Sequence, residues 1–549
     1  MFPYAVERFT AEESDVLRRY VTNLDQPVFA LVNLPEVVKG ALFARYSRSP
    51  KSLRRLFLDE FVGELDVRGD AGVDATMGLA RAEELYERVF GEYGDDSVAQ
   101  LGGVHLACEQ ASNLLTKVLE WGRLMSYLEQ STRYIAYDAR LSTGHYRYYR
   151  DPEILDSVHG ARYVGEMDRV FDTYGELLGA TQTHVAARFP RQPGDSDFVH
   201  RQAVRAKALD ALRGLLPAAS LSNVGIYGTG QGYEHLLLRM RGHPLPEARR
   251  YADMMLEELR KVIPSFLQRV DRPERGGRWT DYLASTRAAT ARVVERLFPD
   301  LVDPDGDPAY GPGGAPVVDL VEFDPEGEDK VLAAICFPEV AVPDAGLLTR
   351  VQRLGAEDRR ALLAAYVGER ENRRHRPGRA FERTGYRFDV VTDYGAFRDL
   401  QRHRLLTIEW QALGPELGYD VPELVAEAGV GDAYGASMER SRALYEDLVG
   451  EFPEAAAYAV ALGYRIRYAM QMNAREAMHV CELRSGPQGH PSYRWVAQEM
   501  HRQIAERAGH RLLAAAMSYV DHDAVGLERL DSERRAEARR SSGTETAHG

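Results

Sequence analysis

The chain has 549 residues, which allows two to four domains. Its 44% hydrophobic and 28% charged content is that of a soluble globular protein, and a net charge of −14 argues against a nucleic-acid or membrane-surface binder while leaving room for a local arginine cluster that holds one small anion. Cys108, Cys336 and Cys481 lie far apart and are odd in number, which argues against a disulfide framework or a paired zinc site.

In chain order, the early charges of "MFPYAVERFTAEESD" do not suit a secretory signal, and no apolar run reaches the roughly 18–20 residues of a membrane span. A cytoplasmic protein is expected. "FALVNLPEVV" at 29–38 resembles "LAAICFPEVA" at 332–341. Val-Gly-Glu follows the glutamate of each after 26 and 28 residues, as Val62-Gly63-Glu64 and Val367-Gly368-Glu369. Shared order and spacing at an offset of roughly 300 residues indicate a tandem duplication of large domains. Helical spacing is predicted over 247–270, 278–298 and 436–449, and strands over 316–323, "PVVDLVEF", and 386–391, "YRFDVV". The Pro/Gly/Asp-rich stretch 298–316 reads as a linker, "RENRRHRPGR" at 370–379 as a solvated loop, and the polar end of the chain as disordered. The expected organisation is α+β and helix-rich in two repeats: 1–275, a bridging helix and linker over 276–315, then 316–530, with a tail over 531–549.

Three segments can carry chemistry. Trp121-Gly122-Arg123 leads to Glu129, Ser131 and Arg133; if that end is extended, Ser131 and Arg133 project to one side, a hydroxyl and a guanidinium suited to a phosphate or a pyrimidine edge. A turn with a surface arginine is the alternative. Arg402-His403-Arg404 sits in an apolar frame and needs anionic company from protein or ligand, although a packed histidine is the commoner case. "MNAREAMHVCELR", 472–484, sets Asn473, Arg475, Glu476, His479 and Arg484 on one helix. His479 and Cys481 have no usual ligand spacing, so no metal is expected.

Together these motifs resemble the flavin-dependent thymidylate synthases, whose pattern is Arg-His-Arg, seven residues, Ser, and Arg two further on, followed by Asn-x-Arg-Glu on a helix ending Leu-Arg. The second half matches through Arg402-His403-Arg404 and Asn473-Ala474-Arg475-Glu476 to Leu483-Arg484, with Glu382 of "RAFER" at a flavin-site glutamate, but Ala412 and Gly414 replace the Ser and the second Arg. The first half keeps Glu129, Ser131 and Arg133 but has Trp121-Gly122 for Arg-His. It also keeps Arg213-Gly214-Leu215-Leu216-Pro217 for the nucleotide-binding Arg-x-x-Leu-Pro, and Arg241 for the terminal arginine. "YGDDSVAQ" at 93–100 resembles the family's Tyr-Gly-His-x-Ser-x-x-Glu, with Asp95 and Gln100 substituted.

The resemblance implies one-carbon transfer from methylenetetrahydrofolate to C5 of dUMP or a related pyrimidine nucleotide, with reduction by NADPH through FAD. It implies nucleotide contacts from Glu129, Ser131, Arg133, Arg213, Arg241 and Arg402, with Arg241 the residue that stabilises charge on the ring. Flavin contacts fall to Glu382, Arg402, His403, Arg404, Asn473, Arg475 and His479. Family members are tetramers with sites between subunits, so a homodimer mimicking a tetramer, with one composite site shared by Ser131 and Arg402, is expected. The alternative is a diverged or inactive flavin- or nucleotide-binding paralogue.

Overall fold

The structure, a computed structural model, describes residues 5–34, 36–60, 102–298, 315–523, 526–527, 529–530, 533–535 and 537–538. Val62-Gly63-Glu64, Asp95, Gln100 and nearly all of the 298–316 linker lie outside them. The strands are β1 (Val28–Leu31), β2 (Gly103–Ser112), β3 (Met125–Glu129), β4 (Leu221–Thr229), β5 (Val317–Phe323), β6 (Gly385–Asp393), β7 (Thr407–Trp410) and β8 (Arg465–Asn473). The helices that position the site are α1 (Asn113–Leu119), α2 (Asp197–Leu212), α3 (Gly230–Arg241), α4 (Pro246–Arg260), α5 (Arg278–Leu297), α6 (Tyr394–Leu400), α7 (Ala474–Arg484) and α8 (Pro491–Glu506).

The fold is α+β, and among the described residues it has two four-stranded antiparallel sheets of one topology, β1-β2-β4-β3 and β5-β6-β8-β7. Register repeats as well. Gly103 faces Thr229, which caps α3, and Gly385 faces Asn473, which caps α7. Ser126 opposes Tyr227 as Thr407 opposes Gln471.

The two compact units are not contiguous stretches. The first comprises 1–175, 216–307 and 436–461; the second comprises 176–215, 308–435 and 462–549. Each unit therefore includes a segment from the other half of the chain. In the first unit, Ala218 N–H donates to the Val460 carbonyl (2.8 Å) and the Tyr458 hydroxyl to Glu247 (2.7 Å). In the second, Gly463 N–H donates to the Gly214 carbonyl (2.8 Å).

The first unit is built on a cluster that includes Phe29, Leu42, Phe43, Tyr46 and Phe57. In the second, β6 buries Tyr386, Phe388 and Val390 at alternate positions, the period expected of a pleated strand with one face packed. The helix predicted over 278–298 forms as α5, within the first unit, and none of its residues is buried. The long predicted helix 247–270 stops at Arg260, with Pro264 starting a short 3₁₀ turn.

Three expectations change. The "Pro-Glu-Val" match is not a structural one: 28–31 is a strand, whereas "LAAIC" ends helix Gly327–Cys336. Glu328 and Asp329 in that helix's first turn favour its N-terminus, while the β-branched and aromatic Val28-Phe29 suits a strand. The 370–379 segment is a loop up to 378, with Arg379 opening a 3₁₀ turn, but Arg370 is not solvated; it makes a buried bidentate pair with Glu482, both bonds 2.6 Å. Of the tail, 533–535 and 537–538 are helical, with Arg534 on Asp195 at 2.6 Å. No helix among the described residues is long and apolar enough to cross a membrane.

Candidate functional site

In the second unit the Asp393 carboxylate caps α6, accepting from Ala396 N–H at 2.8 Å. That helix ends in the turn that bears Arg402, His403 and Arg404, so the three are not on a helix. Asn473 caps α7 by accepting from Glu476 N–H at 2.9 Å, which commits its side-chain oxygen to the backbone. One turn separates Glu476 from His479, so both project from one face.

His403 is buried between these elements. Its Nδ1 lies 3.3 Å from Glu476 Oε1, and its Nε2 accepts from Arg484 Nε at 2.8 Å. Because Nε2 accepts, the ring proton sits on Nδ1 and points at the carboxylate. Burial, then Arg484, His479, Arg402 and Arg376, hold the imidazole well below its usual pKa. Burial with Arg376, Arg373 and Arg484 brings His479 down to about 4. Burial raises Glu476 to about 7 against the pull of Arg376 and Arg475. Ligand-type atoms of His403, Glu476 and His479 lie within 4.8 Å of one another. The surrounding guanidinium field opposes a cation there, and Nε2 of His403 is already engaged.

A second cluster adjoins the first. Asp399 faces Arg213 Nη1 at 3.3 Å, Arg402 Nη2 in a close hydrogen bond, and Arg484 Nη1 at 4.0 Å. Arg213 Nη2 is 3.5 Å from Asp393. The Arg213 side chain is 4% exposed, and its Nε and Nη2 make no hydrogen bond. A cavity of about 430 Å³ opens on Arg213, Gly214, Thr392, Asp393, Tyr434 and Trp495. Arg475 donates to the Pro377 carbonyl (2.9 Å) and lies 3.5 Å from Glu382, which also pairs with Arg379 at 3.2 Å. Arg404 is exposed.

The remaining candidates are in the first unit. Glu129, at the end of β3, is buried 3.3 Å from Lys117 Nζ, which also holds Glu120 at 2.6 Å. Ser131 and Arg133 form a turn and not an extended end: Arg133 N–H donates to Ser131 Oγ at 3.2 Å and Tyr134 N–H to the Ser131 carbonyl at 3.2 Å. Arg241 makes a surface pair with Asp253 at 2.7 Å. Arg239, two residues earlier, lies with its Cζ 4.5 Å from the Trp121 ring, and burial lowers its pKa. Trp121 stands where the motif has its first arginine, and the two make a cation–π contact.

The structure thus brings Arg213, encoded in the first half, together with Arg402 from the second, and joins His403 to Glu476, His479 and Arg484. Asp399 was not among the sequence candidates; its signal was an acid three residues before Arg402 at the end of a helix.

The family model described as Thymidylate synthase complementing protein matches residues 45–265 and 320–508. A UPF0159 protein of Chlamydia muridarum is 39% identical over 96% of this chain and 99% of its own length. A UPF0159 protein of Thermoplasma acidophilum is 32% identical over 90% and 97%. A crystal structure of the UMP/dUMP methylase PolB from Streptomyces cacaoi, bound with 5-Br dUMP, aligns over 38% of this chain and 98% of that one at 19% identity. Its TM-score is 0.31, too low to bear on fold or activity.

Proposed function

This chain belongs to the thymidylate synthase complementing protein family, as two tandem copies, and on that footing we propose that it transfers a one-carbon unit from methylenetetrahydrofolate to C5 of dUMP or a related pyrimidine nucleotide, with FAD as cofactor and NADPH as reductant. The observation that carries this reading is the convergence of Arg213 and Arg402 on one carboxylate beside the His403–Glu476–Arg484 network. The residues fit an anionic cofactor. Beyond burial itself, the groups that depress His403 and His479 are chiefly guanidiniums, so the donor set favours a pyrophosphate. Arg402, His403, Arg404, Asn473 and Arg475 would hold the flavin, with Glu382 and His479 beside them. Bound there and reduced by NADPH, the flavin would supply the two electrons that complete the transferred carbon as a methyl group.

The chain's own residues bind and polarise the nucleotide. Arg213 and Arg402, both in the second unit, offer bidentate donors to a phosphate that carries nearly two charges at neutral pH, and Arg133 is assigned to the nucleotide by the family motif alone. Ser131 is assigned by the family motif to a hydrogen bond with the nucleotide; Glu129, with its side chain 1% exposed and held 3.3 Å from Lys117, supports that loop from beneath and does not reach a ligand where it stands. Arg241 is assigned to the pyrimidine, where a guanidinium stabilises charge developing at N3 and O4 as C5 becomes nucleophilic; it must first release Asp253. Two chains are proposed to form a homodimer.

A second reading, a diverged flavin- or nucleotide-binding paralogue, is favoured by Asp399 already neutralising Arg213 and Arg402, and by Ala412 and Gly414 in place of the family's Ser and Arg. Two measurements decide. Purified protein should be yellow, and it should release tritium from [5-³H]dUMP when supplied with NADPH and methylenetetrahydrofolate. Yellow protein that binds dUMP without tritium release selects the paralogue, and colourless protein that takes up no added FAD overturns the flavin assignment.

A further inference from the structure

Carboxylates and phosphates present the same edge to a guanidinium: two oxygens that accept a forked pair of N–H bonds. Asp399 already offers that edge to the arginines assigned above to a phosphate. Its Oδ2 lies 3.3 Å from Arg213, its Oδ1 accepts a close hydrogen bond from Arg402, and the same oxygen is 4.0 Å from Arg484. Asp393 adds a second negative charge 3.5 Å from Arg213.

We propose that Asp399 is an internal stand-in for the ligand's phosphate, holding the arginine cluster assembled in the free protein and lowering its affinity for a doubly charged anion. Among the described residues, Arg213, Arg402 and Arg484 approach Asp399, and Asp393 approaches Arg213 from its other side, so carboxylates already answer much of the guanidinium charge. The cavity beside Arg213 reaches that guanidinium on the side it shares with Asp393; Lys207, Asp210, Asp420 and Glu423 also line it, and Asp399 and Arg402 do not. The Arg402 side chain is 31% exposed and has room to turn from Asp399 to a ligand, whereas Arg213, at 4%, must be reached where it stands. The ligand must therefore outcompete a carboxylate already in place, which selects against weakly held anions. The inference rests on the assignment of Arg213 and Arg402 to a phosphate.

The test is Asp399→Asn, which keeps shape and removes charge. Binding of dUMP, deoxyuridine and inorganic phosphate is measured by calorimetry on full-length wild type and variant. The variant should bind dUMP and phosphate roughly tenfold or more tighter, with deoxyuridine unchanged. Equal or weaker phosphate binding by the variant overturns the proposal. If dUMP binds both proteins equally, the nucleotide reading survives and this inference does not. If dUMP binds neither but phosphate binding tightens in the variant, the inference survives and the nucleotide reading does not. Should the variant fold poorly, Asp399→Ser is purified in phosphate buffer to supply the missing anion. Phosphate should then raise its melting temperature more than that of wild type, and an equal rise again overturns the proposal.

Discussion

Replacing Arg213 by alanine should cost stability before it costs anything else. The guanidinium is buried, 3.3 Å from Asp399 and 3.5 Å from Asp393. At an effective dielectric of about 20, each attraction is worth about 5 kcal/mol before desolvation is subtracted. Removing one partner of a buried pair typically costs about 3–5 kcal/mol, because the other charge stays behind. Here Asp399 retains Arg402 and Arg484, and Asp393 retains its helix-cap bond. The expected loss is therefore at the lower end, about 3 kcal/mol, read from urea unfolding followed by circular dichroism. Adding Asp399→Asn removes one stranded charge, so the double variant should be more stable than the sum of the two single losses by about 1 kcal/mol or more. Additivity within about 0.5 kcal/mol, or an Arg213→Ala variant as stable as wild type, would refute the buried-pair account.

The other perturbations separate ligand contacts from structural ones. Arg404 is exposed, so Arg404→Ala should shift stability by no more than about 0.5 kcal/mol yet lower the flavin content of purified protein, measured by absorbance. Arg241 pairs with an Asp253 side chain that is 65% exposed, so Arg241→Ala should cost at most about 1 kcal/mol of stability while lowering the rate of tritium release; an unchanged rate removes Arg241 from the catalytic set. Glu247 is fully buried, accepts from Ser112 and Tyr458, and is raised by burial from 4.5 to about 7. A raised carboxyl stabilises the fold fully below its unfolded pKa, and that contribution is lost as pH rises through 7. Wild type should therefore lose about 3 kcal/mol through this group between pH 4.5 and 9, and Glu247→Gln should flatten that part of the stability–pH profile. Light scattering at micromolar concentration should give twice the chain mass.

Short-range patterns in the sequence settled the elements. The patterns at 316–323 and 386–391 mark β5 and β6, and "MNAREAMHVCELR" marks α7, although Asn473, read as part of the helix, is its N-cap. The family motifs mark the family, while the Pro-Glu-Val match that suggested the duplication is not structural, and the two copies show in the repeated sheet topology and the two matched segments. Only the tertiary structure decided which charges meet. Arg213 finds Asp399 across 186 residues of chain and Arg484 finds His403 across 81, and no periodicity reports such distances. The turn after α6 sets where Arg402 and Arg404 point, and the segment 176–215 carries Arg213 into the second unit. Arg370 read as a solvated loop residue because its partner Glu482, 112 residues on, lies on another element. Burial decides whether a charge is solvated or must be paired, and burial is a property of the packed chain.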